Sequence, residues 1–332
     1  LEFRRVLFRS PTFTGSTPTR PSTAEYAYTF SGWTPAITAA TADKTYTATY
    51  TATPRYTITF NANGGLIPTG GNMGNTPSGH ITTLSTDRTS GTVVVTKDKT
   101  HFQTMTNDCP SREGYTFAGW YTDPTSGVQV YDNTGYRVVG SYWNSEGKWI
   151  GTSNVTLYAH WTPIPYTITV NPSNVSQGSA AGGGTYDYGT NHQISATPNE
   201  CYRFVQWSDG NTDNPRTITV TSNTTYVALF KQIQYEITFV NYDGTELLRT
   251  NVLCGLLPTY TETPTKLATA EFTYTFAGWS PSVIEANSNA TYTAIYTSTR
   301  NKYLIIFQNE DGTELQRGEV EYGQTPAYTG AT

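Results

Sequence analysis

The chain has 332 residues, a formal net charge of −5, 36% hydrophobic residues and only 14% charged ones. Its 25 Tyr, 13 Phe and 7 Trp supply too much apolar area for a disordered chain. The 20 basic residues are too scattered to make a face for phosphates, which excludes nucleic acid as a partner. No apolar run approaches the ~18 residues of a membrane-spanning helix.

Residues 1–10, from Leu1 to Ser10, match nothing later in the chain and read as a non-native leader that resembles translated cloning sequence. From Pro11 onward the chain is repetitive. The first predicted element carries Tyr28-Thr29-Phe30-Ser31-Gly32-Trp33, and the next runs Thr45-Tyr46-Thr47-Ala48-Thr49-Tyr50-Thr51. In the latter every apolar residue has one parity and every Thr the other, which predicts a strand with one face on a core and one in water. An opening strand follows at Tyr56-Thr57-Ile58-Thr59-Phe60. It recurs at Tyr166, Tyr235 and Tyr303, with spacings of 110, 69 and 68 residues. The middle strand recurs as Tyr115–Trp120, Tyr202–Trp207 and Tyr274–Trp279. The closing strand recurs with Leu157, Ala159 and Trp161, with Tyr226, Ala228 and Phe230, and with Tyr292, Ala294 and Tyr296. The chain therefore starts and stops within a repeat.

Three finer expectations follow. Asp243-Gly244 and Asp311-Gly312 predict two-residue hairpins, because Gly tolerates positive φ. In the middle strand Trp279 has the opposite parity to Tyr274 and Phe276 unless a bulge at Gly278 turns it back. Since Gln206 holds that place in the third repeat, the expectation is an unbulged strand with its Trp in a second layer. The short connectors Thr51–Pro54, Thr162–Pro165 and Thr297–Arg300, two of them stiffened by Pro, predict an elongated, semi-rigid rod.

Chemistry is sparse. Cys109, Cys201 and Cys254 fall in three successive repeats, too far apart for a disulfide framework or a zinc site, and read as buried free thiols. His80, His101, His160 and His192 have no metal-ligand spacing, and His160, at the outward parity of its strand, reads as a surface histidine. Gly182-Gly183-Gly184 follows an Ala pair rather than opening a helix, so it is a loop and not a phosphate cradle. Leu66-Ile67-Pro68-Thr69-Gly70 has its Pro misplaced for a sortase signal and no hydrophobic tail. No acid, base and nucleophile are grouped, so the expectation is a protein that is not an enzyme and uses neither cofactor nor metal.

The second repeat is longer than the others by about 42 residues, judged by aligning the repeats. One insertion runs from about Pro68 to Cys109. The other brings Tyr136, Tyr142, Trp143 and Trp149 between Val128 and Val155, with Gly140, Asn144 and Gly147 as hairpin turns. Two readings of these rings are open. The favoured one is that they cover an extended sheet's own core. The other is that they are exposed and stack on a glycan or meet a host protein.

Three blocks in order carry a family resemblance: Tyr56–Gly65, Arg112–Tyr121 and Val155–Trp161 resemble the Listeria-Bacteroides repeat, the B-repeat of internalin-type surface proteins. The third repeat, with Gly184–Gly189, Ala196–Glu200 and Trp207–Gly210, resembles the divergent branch, although Cys201 and Gln206 stand where that branch usually has glycine. The resemblance implies mainly-β, β-grasp-like units in tandem: a partial repeat over 11–54, a repeat with insertions over 55–164, a divergent repeat over 165–232, a repeat over 233–300 and a partial repeat over 301–332. It also implies a monomeric, non-enzymatic stalk or spacer in adhesion, extracellular on a bacterial surface or cell wall. On the alternative reading, host glycans or proteins are the partners.

Overall fold

The computed structural model describes residues 10–69, 83–101 and 109–330. The predicted leader lies outside them but for Ser10, as do His80 and residues 70–82 and 102–108 of the first insertion. The described residues are all β, with no helix among them and hence none long and apolar enough to cross a membrane. The chain divides into two compact units, one of residues 1–166, 185–190 and 220–222, the other of the remainder.

Among the described residues there are twenty strands. The first partial repeat gives β1 (Tyr26–Thr34) and the start of β2 (Thr47–Asn61). The second repeat continues β2 and adds β3 (Thr83–Leu84), β4 (Ser90–Thr96), β5 (Tyr115–Tyr121), β6 (Gln129–Tyr131) and β7 (Val155–Pro163). The third holds β8 (Pro165–Pro172), β9 (Gly178–Ala181), β10 (Gly184–Asp187), β11 (Asn191–Pro198), β12 (Tyr202–Trp207), β13 (Arg216–Thr219) and β14 (Thr224–Gln232). The fourth holds β15 (Gln234–Val240), β16 (Glu246–Leu253), β17 (Phe272–Ser280) and β18 (Ala290–Arg300). The last partial repeat gives β19 (Lys302–Gln308) and β20 (Glu314–Glu321).

The fourth repeat shows the plan most simply. Its sheet order is β16-β15-β18-β17, with antiparallel outer pairs and a parallel central pair in which Ile237 faces Ala290 and Phe239 faces Tyr292. A parallel pair needs a long crossover, and irregular chain from Cys254 to Glu271 supplies it. The alternating residues are buried as foreseen: Ile237, Phe239 and Tyr292 lie in one cluster with Trp279 packed against it, and Ala294 is buried as well. In the second repeat β2 takes the place of β15, pairing antiparallel with β4 and in parallel with β7. The stretch from Pro68 to Cys109, expected as an insertion, is corrected in part, because it contains β4, the repeat's own second strand. In the third repeat β14 pairs antiparallel with β12 and in parallel with β8, and β13-β11-β9 form a separate sheet.

Three expectations are corrected. The middle strand is bulged in every repeat that shows it: the register slips between Phe30 and Gly32, Phe117 and Gly119, Phe204 and Gln206, and Phe276 and Gly278. One extra residue reverses parity, so each Trp returns to the face of its Phe, with ring centroids 5.4, 5.5, 5.4 and 5.3 Å apart in chain order. The three glycines sit at φ +147°, +130° and +134°. Gln206 is absent from the residues with positive φ, so the bulge does not depend on a glycine-type backbone.

The hairpins at Asp243 and Asp311 have three-residue loops rather than two. Asn241 N–H donates to the Thr245 carbonyl at 2.8 Å and Asn309 N–H to that of Thr313 at 2.8 Å, with Gly244 and Gly312 at φ +84° and +83°. The segments expected as linkers are themselves strand. β2 runs unbroken through Pro54, and a single residue, Ile164, Ile233 or Asn301, separates the closing strand of one repeat from the opening strand of the next.

Candidate functional site

The inserted aromatics of the second repeat are placed by local turns. After β6, the Asp132 carboxylate accepts hydrogen bonds from the backbone N–H groups of Thr134 and Tyr136, at 2.8 and 2.9 Å. A hairpin then turns at Asn144–Lys148, where Asn144 Oδ1 accepts from the N–H of Glu146 and of Lys148 and Gly147 takes φ +74°. Trp143 and Trp149 bridge across it with their rings 5.1 Å apart. The carbonyl of Trp149 accepts from Asp98 N–H, just past β4, which anchors the hairpin to the sheet.

Both Trp side chains have no exposed surface. They join Ile58, Phe60, Val95, Trp120 and Tyr131 in one core. Tyr142 packs partly buried against Trp149 at 5.3 Å, and Tyr136 alone is substantially exposed, at 50%. The glycan-stacking surface formed by Tyr136, Tyr142, Trp143 and Trp149 is therefore corrected. A sugar cannot reach rings that the sheet has already covered, and one exposed Tyr is no platform. Among the described residues the indole N–H groups of Trp120 and Trp149 have no hydrogen-bond partner, so these rings are held by packing.

His101 lies beside this core, its ring 6.3 Å from that of Trp143 and its Nε2 2.8 Å from the Thr96 backbone N. Burial lowers its pKa below the ordinary 6.5, against the opposing pull of the Thr96 hydrogen bond. His160 is corrected from surface to half-buried. It stacks flat on Tyr121 at 3.9 Å and its Nε2 lies 2.8 Å from the Asp123 carbonyl oxygen. A cleft of about 320 Å³ opens there, lined by Asn63, Arg112, Thr125, His160 and Trp161. Trp161 spends its N–H on the carbonyls of Ala62 and Asn63, and the Arg112 guanidinium lies 4.0 Å over Tyr115. These hydrogen bonds and ring contacts all lie within the second repeat. Among the described residues no three His, Cys, Asp or Glu are grouped to hold a metal ion.

The arrangement that recurs is at the junctions between repeats. At the third, Ile233 N–H donates to the Cys201 carbonyl at 2.8 Å and Cys254 N–H donates to the Ile233 carbonyl at 2.9 Å. One junction residue is thus pinned to the turn before the preceding middle strand and to the end of the following second strand. Ile164 is held in the same way by Gly114 and Tyr188, at 2.9 and 3.0 Å, and Asn301 by Glu271 and Tyr322, at 2.8 and 2.9 Å. At the first junction Arg55 N–H donates to Glu25 and the Pro54 carbonyl accepts from Lys97.

The two pinning positions carry different chemistry each time. Cys201 and Cys254 are joined by a disulfide, with Cα atoms 5.2 Å apart. This overturns the reading of both as free thiols: they lie in different repeats, but at the two sides of one junction. Cys109 is half-buried. Cys201 also keeps the backbone of the glycine it replaces, at φ +67° where Gly114 has +73°. At the second junction Tyr188 lies directly over Gly114, where an added Cβ would be 2.1 Å from the ring. At the fourth, Arg300 pairs with Glu271 at 2.9 Å and bonds the Tyr322 carbonyl. The signal was present in the sequence, because aligned repeats place Cys201-Tyr202 on Gly114-Tyr115 and Cys254-Gly255 on Tyr188-Gly189.

Comparison with known families agrees with this repeated plan. Residues 56–142 match the Listeria-Bacteroides repeat domain and residues 166–234 match the divergent InlB B-repeat domain. The chain carries B-repeat-type domains in tandem. Among solved structures, the chain is similar to domains 3–4 of the Streptococcal High Identity Repeats in Tandem (SHIRT) of a cell surface protein. The identity is 16%, over 41% of this chain and 99% of that one, with a TM-score of 0.18.

Proposed function

We propose that this B-repeat segment is a non-enzymatic stalk of a bacterial surface or secreted protein, holding a functional domain away from the envelope in adhesion. The observation that carries the reading is the junction. Five successive repeats, two of them partial, are joined strand to strand at four junctions, with one or two residues at each joint tied to both neighbours by backbone hydrogen bonds. A joint of that kind resists bending, whereas a flexible linker leaves successive repeats free to fold back. The sheet order β16-β15-β18-β17, with a parallel centre, supports β-grasp-like units whose crossover is irregular. The Cys201–Cys254 disulfide supports an extracellular location, since such bonds persist in oxidising compartments.

Small-angle scattering of the oxidised chain tests the stalk. A compact chain of this length has a radius of gyration of about 20 Å. The stalk reading expects a value well above that, and a value near it would overturn the proposal.

A further inference from the structure

Cys201 stands just before β12 and Cys254 just after β16, so the disulfide closes the chain between them into a covalent loop. Within that loop lie β12, β13 and β14 of the third repeat, β15 and β16 of the fourth, and the joint residue Ile233. The antiparallel pairs β12–β14 and β15–β16 are wholly inside it. Strands β8 to β11 precede the loop and β17 and β18 follow it, so each parallel pair, β8–β14 and β15–β18, joins one strand inside to one outside. Both hydrogen bonds that pin Ile233 end on the backbone of a cysteine. Since the chain has three cysteines, no other joint has a disulfide of its own. The second joint has the Tyr188 ring over Gly114 instead, and the fourth has the Arg300–Glu271 ion pair.

We propose that this cross-link is a strap that carries tension across the third joint and sets a redox-sensitive limit on how far the chain extends. The strap rests on the stalk reading, since only a chain under tension has a load to divert. A pull along the chain reaches Cys201, crosses the S–S bond and leaves at Cys254. The covalent bond holds where the hydrogen bonds between strands part, because each of those contributes only about 1 kcal/mol net. The two ends of the loop therefore never separate, and its five strands and Ile233 stay out of the load path. An extended chain spans about 3.3–3.6 Å per residue, so a loop closed over a separation of 53 residues withholds about 170–190 Å from the fully stretched protein. A dithiol reductant passes two electrons and two protons to the S–S bond, which leaves Cys201 and Cys254 as thiols and the reductant as a disulfide. Tension then runs through β12 to β16 and Ile233, as it runs through the main chain at the other joints.

Stretching single molecules of the full chain, held by its two ends until every repeat has unfolded, tests this. Without reductant, the wild type is expected to end about 170–190 Å shorter than the double variant with Cys201→Ser and Cys254→Ser. Only residues 165–200 of the third repeat and 255–300 of the fourth lie outside the loop, so two shorter and unequal steps should replace the two equal steps of the variant. A dithiol reductant should bring the wild type to the length of the variant and leave the variant unchanged. The length is read on the unfolded chain, so the design does not require the variant to match the wild type in stability. A wild type that reaches the full length of the variant without reductant would overturn the proposal. A shortfall of another size would overturn it too, because it would put Cys109 in the bond. The result does not depend on the shape of the relaxed chain, so a failed strap is read here and a failed stalk is read separately, from a compact radius of gyration.

Discussion

The second and fourth repeats build the same sheet and cover it differently. In the fourth, the irregular crossover brings Tyr260 over Phe239 and Trp279, and Val283 and Ala286 complete a small cluster. In the second, an inserted hairpin lays Trp143 and Trp149 into a core that also holds Trp120 and Tyr131. Their junctions differ likewise. The second repeat leads into the third through a Tyr ring seated on a glycine, while the fourth is covalently tied to the third through Cys254. The same strand plan thus tolerates a large insertion in one copy and a cross-link in another, because neither changes which residues of the four strands face inward.

Removing each device tests the contrast. Trp149→Ala is expected to have the largest effect, about 3–5 kcal/mol for a large ring deleted from a closed core. Hydrogen exchange should show the loss in the second repeat and leave β15–β18 protected. Trp149→Phe, which keeps one aromatic ring and removes the unpartnered N–H, should cost less.

Cys201→Ser with Cys254→Ser removes a cross-link spanning 53 residues and is expected to cost about 2–4 kcal/mol, read as a lower denaturation midpoint. Reducing agent should reproduce that shift in the wild type and do nothing to the double variant. Gly114→Ala is expected to cost about 1–3 kcal/mol, because the residue must hold φ +73° and its Cβ meets the Tyr188 ring. Faster exchange at Ile164, without change at Ile233, would place that loss at the second junction.

The smallest effect is one of pH. The pKa of His101 is lower in the folded state than the ordinary 6.5, so the unfolded chain binds the proton more readily. Its contribution is complete above pH 6.5 and is lost as the pH falls from there through the folded value. The fourth repeat contains no histidine, so in that window only the second repeat should weaken. His101→Gln should remove the difference in thermal melts taken above and below pH 6.5.

The sequence by itself determined the repeats and the face of each closing strand. Both are local properties: a period of two fixes which side chains share a face, as Tyr292, Ala294 and Tyr296 do. It also carried the resemblance to B-repeats, since three short blocks in a fixed order survive a large insertion between them. Tertiary structure decided the remainder. The bulge was obscured by Gln206, because an extra residue can be absorbed without positive φ once Trp207 has a core to enter. Whether Trp143 and Trp149 face water or protein depends on β4 and its continuation, far away in the chain, and not on their own hairpin. Cys201 and Cys254 lie in different repeats, but a disulfide requires only that two Cα atoms come close. That closeness is set where one repeat hands its last strand to the next, a property of the joint that neither repeat possesses alone.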